Sequence, residues 1–475
     1  MNAAVLNLFP GIRFAAAVFF WLMTLGVLGA EETSRNATNE QPNIVFVIAD
    51  DCTFRDLGCY GGQAHTPNID RLAKEGMRFQ QCFQAAPMCS PTRHNIYTGL
   101  YPVRSGAYPN HTFVRPETKS VCQYLGELGY RVALSGKKHI NPKTVFEFEY
   151  SGKKNNPDRE AIEALFADRS KGGKPFCLFA CSNEPHSPWN KGDRSRYPVD
   201  KISLPSSYVD TPEQRDAFSR YLAEITYFDS QVGMILSLLK KYKLENETLV
   251  MVTSEQGNAF PFAKWTLYDS GLQSAMICRW PEKIEAGTNS KAMIEYVDIL
   301  PTMIEAAGGR PAEGLDGRSF LGVLRGQTDT HKNLVYGIMT SRGIINAPAS
   351  YGIRSIRSEQ FKLIWNLSAD VQFTNACTKS KEFQSWIAKA KSGDADAADK
   401  VRRYQQRPEI ELYDVKKDRH EWTNLADDPR YSKTRAELLK KLKQWMQAQG
   451  DEGQSTEMKA TDRLWRNRKR NRKKK

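Results

Sequence analysis

The sequence predicts an α/β fold, with a large mixed, mostly parallel sheet sandwiched by helices and a smaller C-terminal domain of short antiparallel sheet and helix. Three observations carry this. Several runs are continuously apolar and rich in β-branched residues, as strands buried on both faces must be. Apolar residues at three- and four-residue spacing mark helices between them. After about residue 330 the apolar runs shorten and alternate with polar residues, as in a small antiparallel sheet.

Asn43-Ile44-Val45-Phe46-Val47-Ile48-Ala49 is the first apolar run, and it stops at Asp50-Asp51. A helix follows Thr66-Pro67-Asn68, presents Ile69, Leu72 and Ala73 on one face, and ends at Gly76. Strand-like residues 130–135 lead into Gly136-Lys137-Lys138-His139, and residues 175–182 lead into Glu184-Pro185-His186. A long helix over 213–243 carries Tyr221, Ile225, Phe228, Val232 and Ile235 along one stripe. Residues 248–254 then lead into Glu255-Gln256-Gly257. In the C-terminal part, short strands fall at 351–355, 361–365 and 411–413. A polar helical stretch separates the last two, and an amphipathic helix closes the region at 433–449.

The chain has 475 residues, 40% hydrophobic and 11% aromatic, enough for one large and one smaller domain. No fixed-period repeat exists, which excludes solenoids and propellers. Arg13, the apolar run 14–28 and the small pair Gly29-Ala30 read as a secretory signal peptide. The alternative, a membrane anchor, needs ~20 apolar residues and is disfavoured. The expected organisation is a signal peptide at 1–30, a polar leader at 31–42, a large domain at 43–330, a smaller α+β domain at 331–450 and a basic, disordered tail at 451–475. Export to a periplasm, the extracellular space or a lysosome, according to the host, follows.

Net charge is +14, of which residues 463–475 supply nine cations and no acid, leaving +5 elsewhere. Such a tail is either a solvated segment or a holder of polyanions such as a sulfated glycan, and export argues against nucleic acid. The nine cysteines are an odd number for an exported protein. If Cys89 is chemically consumed, eight remain that could pair.

Four apolar strands each end directly in charged or imidazole residues. Ligands of open α/β sheets bind beyond the carboxyl ends of the strands. If the four are parallel neighbours, Asp50, Asp51, Lys137, His139, His186, Glu255 and Gln256 converge on one edge; otherwise they belong to four ordinary solvated loops. Asp50, Asp51, Glu255 and Gln256 offer oxygen ligands suited to a hard cation, Ca²⁺ or Mg²⁺. Arg93, Lys137, His139, His186 and Lys264 add positive charge or donors, and the combination suits a tetrahedral oxyanion, sulfate or phosphate. Cys89 lies in Pro87-Met88-Cys89-Ser90-Pro91-Thr92-Arg93, which should turn into a helix beginning near Thr92. That position would stabilise an anion and lower the thiol pKa, unless Cys89 is an ordinary structural thiol.

Cys89-x-Pro91-x-Arg93, followed by Thr98-Gly99-Leu100-Tyr101-Pro102, resembles the signature of the formylglycine-dependent (type I) sulfatases of the alkaline-phosphatase-like superfamily. Residues 43–51, Thr66-Pro67-Asn68-Ile69-Asp70, Gly136-Lys137-x-His139, Pro185-His186-x-Pro188, Thr253-Ser254-x-x-Gly257 and Val297-Asp298-x-x-Pro301-Thr302 fall in that family's order. Glu411-Leu412-Tyr413-Asp414 and Glu421-x-x-Asn424-Leu425 resemble its C-terminal domain, so the similarity runs from about 43 to 447.

The resemblance implies conversion of Cys89 to formylglycine by a maturation enzyme. It implies a Ca²⁺ ion, with Mg²⁺ as the alternative, on Asp50, Asp51, Glu255, Gln256 and residue 89. It also implies that Lys137, His186 and Lys264 bind sulfate oxygens, with His186 a candidate proton donor to the leaving group. Arg93 would orient the hydrated aldehyde, and His139 would take the proton that lets sulfate depart, a step a plain cysteine could not complete. The implied partners are a sulfated glycan or small sulfated substrate and the maturation enzyme, without nucleic acid or a stable membrane span.

Two departures stand out. Glu255-Gln256 replaces the family's usual Asp followed by Asn or His, each one methylene longer, and Lys138 stands where an aromatic is common. Around the pocket, Gly136-Lys137-Lys138-His139-Ile140-Asn141-Pro142-Lys143-Thr144-Val145-Phe146-x-Phe148 and Phe260-Pro261-Phe262-x-Lys264-x-x-Leu267-Tyr268 are similar to the heparan N-sulfatase (N-sulfoglucosamine sulfohydrolase) subgroup. Two other readings stay open: a phosphomonoesterase or phosphodiesterase of the same superfamily, and a non-catalytic binder of sulfated glycans whose Cys89 is never matured.

Overall fold

β1 (Asn43–Ala49) is buried along its whole length, and its alternate side chains divide between two cores. Val45, Val47 and Ala49 enter one core, with Tyr221, Ile225, Phe228, Val232 and Ile235 of the long helix Pro212–Lys241. Ile44, Phe46 and Ile48 enter the other, with Ile96 and Tyr97 of the helix Cys89–Thr98 and with Ile299 and Met303 of the helix Ile299–Ala306. A strand covered on both faces has no polar side, which is why its sequence reads as an unbroken apolar run. Each fully buried aliphatic or aromatic side chain contributes about 1.5–3 kcal/mol relative to exposure.

These details come from a computed structural model that describes residues 41–151, 155–310 and 312–467. The expected signal peptide, all but the last two residues of the leader, and the tail beyond 467 lie outside the described residues. Among the described residues no helix is long and apolar enough to cross a membrane.

The main sheet adds β2 (Met77–Phe83), β3 (Arg131–Gly136), β4 (Glu149–Ser151), β5 (Phe176–Cys181), β6 (Thr248–Ser254), β7 (Gln273–Arg279) and β8 (Thr288–Glu295). Its order is β4-β3-β5-β1-β6-β7-β2-β8. β4, β3, β5, β1 and β6 run parallel, while β7 is antiparallel to both its neighbours. The four strands expected to point at a common site are therefore contiguous: β3, β5, β1 and β6. A second, antiparallel sheet of order β12-β11-β10-β9 is built from β9 (Val335–Thr340), β10 (Gly352–Arg357), β11 (Phe361–Asn366) and β12 (Ile410–Asp414). The helix Ser432–Ala448 packs on it through Leu438, Leu442, Trp445 and Met446.

Two expectations are corrected, on the start of one helix and on the tail, and the open question of cysteine pairing is answered. Helix Cys89–Thr98 begins at Cys89 itself, not near Thr92, because Pro91 at its third position needs no amide hydrogen bond in a first turn. All nine cysteines are unpaired thiols, eight of them buried, and free cysteine is a small core-filling side chain in its own right. Residues 451–467 are ordered rather than a disordered tail. Asp451 forms a buried ion pair with Arg354, Glu457 accepts from Thr340 and Ser341, and Trp465 packs edge-on against Phe113. The tail's basic composition hid these buried acids and aromatic anchors.

Candidate active site

Register levels the strand ends. Ala49 of β1 lies opposite Ser254 of β6, Ile48 lies opposite Cys181 of β5, and Cys181 lies opposite Gly136 of β3. The pairing continues one residue further. Asp50 N–H donates to the Glu184 carbonyl at 3.0 Å, Glu255 N–H to the Ala49 carbonyl at 2.9 Å, and Lys137 N–H to the Cys181 carbonyl at 2.9 Å. Asp50, Lys137 and Glu255 are thus placed side by side by backbone bonds. Asp51 (φ 62°) and His139 (φ 43°) adopt the left-handed conformation, which non-glycine residues hold only where surrounding structure imposes it, and which clusters at functional sites.

All ten residues named from the sequence meet here. Asp50, Cys89 and Glu255 each offer a ligand atom, all within 4.8 Å of one another. Cys89 Sγ lies 3.4 Å from Asp50 Oδ1 and 3.4 Å from the Gln256 amide nitrogen. Lys137 is ion-paired with Asp50, and Lys264 Nζ donates to Asp51 at 2.7 Å. Arg93, fully buried, pairs with Glu255 and donates to the Lys137 carbonyl at 2.8 Å. His186 Nε2 lies 3.6 Å from Asp51, and its Nδ1 meets the Ser187 carbonyl at 2.6 Å.

The charge balance sets the protonation states. Burial pushes the Asp50 carboxyl up, but Lys137, His186 and Lys264 outweigh it and hold Asp50 well below the ordinary carboxylate range. Glu255 goes the other way, to about 8, because burial and the Asp50 charge outweigh Arg93 and Lys137. Burial lowers Lys137 and Lys264, but the carboxylates around them win and raise both, so each is a permanent cation. Burial, then Lys137, His111 and Arg93, hold His139 well below an ordinary imidazole, so it is neutral and able to accept a proton.

Cys89 corrects an expectation. Its thiol is pushed well above the ordinary value, since full burial and the Asp50 charge outweigh Lys137 and Lys264. The dipole of a helix start is too small to offset complete desolvation. Cys89 is therefore a protonated thiol and a poor nucleophile as it stands.

A hard cation fits the donor set. Among the described residues, Glu255 Oε2 and Gln256 Oε1 are buried acceptors without a hydrogen-bond donor, and such groups are costly unless something positive binds them. The extra methylenes of Glu255 and Gln256 leave both side chains fully buried beside Asp50 and Asp51.

Sequence reasoning missed His111. It too is left-handed (φ 55°), and its Nδ1 lies 2.9 Å from His139 Nε2. It belongs to a loop rather than a strand end, so the signal that found the others could not find it.

Residues 42–309 match the family model described as Sulfatase, and residues 257–376 match that described as N-sulphoglucosamine sulphohydrolase, C-terminal. The chain is 33% identical to an ulvan-active sulfatase of Formosa agariphila, over 88% of this chain and 82% of that protein. It is 27% identical to the N-sulphoglucosamine sulphohydrolase of Homo sapiens, over 85% of this chain and 89% of that one. Among solved structures, a complex with the substrate D-glucosamine-2-N,6-O-disulfate superposes with a TM-score of 0.65 at 20% identity, covering 87% of this chain and 99% of that one. A phosphonate monoester hydrolase from Silicibacter pomeroyi reaches 0.66 at 17% identity, over 87% and 96%, so the fold by itself does not separate the two chemistries. The family match over more than half of the chain does: this chain belongs to the sulfatase family and is a sulfuric ester hydrolase.

Proposed function

We infer that this chain hydrolyses the sulfate ester or sulfamate of a sulfated sugar. Residue 89 would act as formylglycine, and Ca²⁺ or Mg²⁺ would be held by Asp50, Asp51, residue 89, Glu255 and Gln256. The observation that carries this reading is the buried, protonated Cys89 thiol enclosed by two carboxylates and the cations Arg93, Lys137 and Lys264. Such a thiol is a poor catalyst but a well-placed precursor. When present, the cation supplies positive charge against sulfate oxygens. The matured residue supplies two hydroxyls, one for attack on sulfur and one whose proton is later removed.

The chain's own residues do the rest. Lys137 and Lys264 meet the anion with fixed charge and need no reorganisation as charge develops on the leaving atom. Arg93, locked to Glu255 and to the Lys137 carbonyl, sets the orientation of the first turn that carries residue 89. His186 has Nδ1–H on the Ser187 carbonyl, so it is the imidazolium form whose Nε2 gives a proton to the departing oxygen or nitrogen, which returns the ring to neutral. His139, neutral, takes the proton whose loss expels sulfate.

Substrate preference follows the relatives' chemistry, with N-sulfoglucosamine or another sulfated glycan unit as the target. The apolar run at 14–28 supports export, which would bring the enzyme to extracellular or lysosomal glycans. The test is a comparison of aryl sulfate, N-sulfoglucosamine and aryl phosphate as substrates of protein matured in its own host. Sulfate release from the first two should exceed phosphate release by orders of magnitude. Faster phosphate release would overturn the reading.

A further inference from the structure

A cavity of about 470 Å³ is bordered by none of the ten active-site residues. One wall is the loop after β1, with Thr53, Arg55 and Asp56, together with the segment before Lys264, with Asn258, Phe262 and Ala263. The facing wall comes from the second domain, between Arg402 and Asn424. This volume falls within the roughly 300–1,000 Å³ of sites that hold small organic ligands. The first wall is bonded to the segments that present Asp51, Gln256 and Lys264. Asn258 N–H donates to the Thr53 hydroxyl at 3.0 Å, and Lys264 N–H donates to the Asn258 carbonyl at 3.0 Å. Phe262 (φ 67°) and Glu421 (φ 59°), one on each wall, are left-handed, a strain that clusters at ligand clamps.

Its charges are unbalanced. Asp56, Glu411 and Glu421 border the cavity, but each is engaged elsewhere. Asp56 accepts from Tyr221 at 2.9 Å, Glu411 pairs with Arg407 at 2.8 Å, and Glu421 pairs with Lys362 at 2.9 Å. Arg402 and Arg403, also on the wall, share Asp399. Arg55 is half-buried and Arg419 exposed, and among the described residues neither side chain makes an ion pair or hydrogen bond. Burial lowers the Arg55 guanidinium, Asp269 opposes this, and Arg419 adds to it. Burial, then Arg55 and Arg419, lower the imidazole of His420, which borders the same cavity. Cations gathered without a counter-ion favour an oxyanion, which a planar guanidinium can bind through two parallel bonds. Trp422 completes the wall, its ring 5.4 Å from that of Phe262, and electron-rich aromatic faces attract the C–H side of a sugar ring.

We propose that this cavity is a second, non-catalytic binding site for an anionic sugar, in which Arg55 and Arg419 meet its sulfate or carboxylate and Trp422 and Phe262 meet its ring. The sulfated sugar as occupant rests on the sulfatase reading, whereas the anion site rests on the cavity itself. Such a site gives the enzyme a hold on glycan that does not depend on the bond being cut. The contact is electrostatic at a partly open site, so it weakens with salt.

The test is calorimetric titration of N-sulfoglucosamine into Cys89→Ala, which lacks the reacting group, alone and with Arg55→Gln, Arg419→Gln or both. Cys89→Ala should bind two molecules, one at each site. Each single Gln substitution should weaken one of the two about fivefold at low salt, as for one partly exposed charge contact. The double variant should bind one molecule only. Arg55→Lys and Arg419→Lys should restore part of the loss, and high salt should shrink the difference. In matured protein the Gln substitutions should leave the thermal midpoint and aryl sulfate kinetics unchanged. If Arg55→Gln fails to fold, Arg419→Gln, at an exposed position, still decides. Affinities unmoved by either arginine substitution would overturn the site. Inorganic sulfate and glucuronate are titrated in parallel. Inorganic sulfate binding the cavity as tightly as the sugar would overturn the sugar as occupant, whereas glucuronate binding that is lost in the double variant supports it. If matured wild type releases no sulfate from any substrate, the functional reading fails. The glucuronate titration then still tests the cavity, and equal affinity with and without the two arginines would sink it.

Discussion

Among the described residues, the His139 ring makes one hydrogen bond, to His111, and its Nδ1 is buried without a hydrogen-bond partner. His111 is therefore a positioning residue. Replacing it with Gln should lower kcat about tenfold, a fraction of the roughly 10²–10⁴-fold that a proton acceptor contributes, because His139 is misplaced rather than lost, while leaving KM within twofold. The His111 charge is also one of the groups that hold His139 down. Its removal should move the acid limb of the kcat profile to higher pH, and an unchanged thermal midpoint in the same variant separates this from a loosened loop, which would hydrate His139 and shift it the same way.

Asp56, away from the site, offers a stability test. Burial raises it to about 6 despite hydrogen bonds from Tyr221 at 2.9 Å and Asn258. A carboxyl raised in the folded state favours folding below the unfolded value near 4 and withdraws that contribution as pH rises through about 6. Asp56→Asn should therefore leave denaturant stability unchanged near pH 4 and increase it by up to about 3 kcal/mol near pH 8. A gain at pH 4 equal to that at pH 8 would refute this.

At the scale of elements, the site depends on how strands end. Gly136 closes β3 at φ 96°, and a Cβ there would run into the Cys181 carbonyl. That same carbonyl accepts from Lys137 N–H, so Gly136→Ala should both destabilise the fold by about 2 kcal/mol or more and displace Lys137. Thermal unfolding and kcat/KM measured together should show activity falling further than stability explains. The segment that carries Lys264 is held from behind by the second sheet, where Asp269 meets Arg357 and Lys362, and Lys362 also meets Glu421. The second sheet thus contributes to the site without touching it.

These elements were legible to different degrees. β1, β5 and β6 were readable because burial on both faces leaves an unmixed apolar run. β2, with Arg78, Gln80 and Gln81 inside it, was not, because it lies next to the sheet edge and its register with both neighbours is irregular. Likewise the ten strand-end and motif residues could be named in advance, whereas His111 depends on a loop that only tertiary packing brings to His139.

For the whole molecule, the cation is the strongest link between site and stability. Two carboxylates, one driven down and one up, share a buried space with unpaired acceptors. Exhaustive chelation should lower the thermal midpoint, and added Ca²⁺ or Mg²⁺ should restore it in a concentration-dependent way, by about 2.7 kcal/mol at a hundredfold excess over Kd. A midpoint indifferent to chelator and to both cations would remove the cation from the account. The basic tail shows why composition misleads at this scale, since Asp451, Glu457, Arg463 and Trp465 anchor its described part through contacts that a count of charges does not reveal.

The most direct test is the mass of the peptide carrying residue 89, taken from protein made in its own host and measured alongside sulfate release from an aryl sulfate. The expected result is formylglycine at residue 89 in a fraction that tracks specific activity across preparations, with Cys89→Ala folded and inactive. A preparation whose residue 89 is entirely thiol, yet which releases sulfate at full rate, would contradict the account.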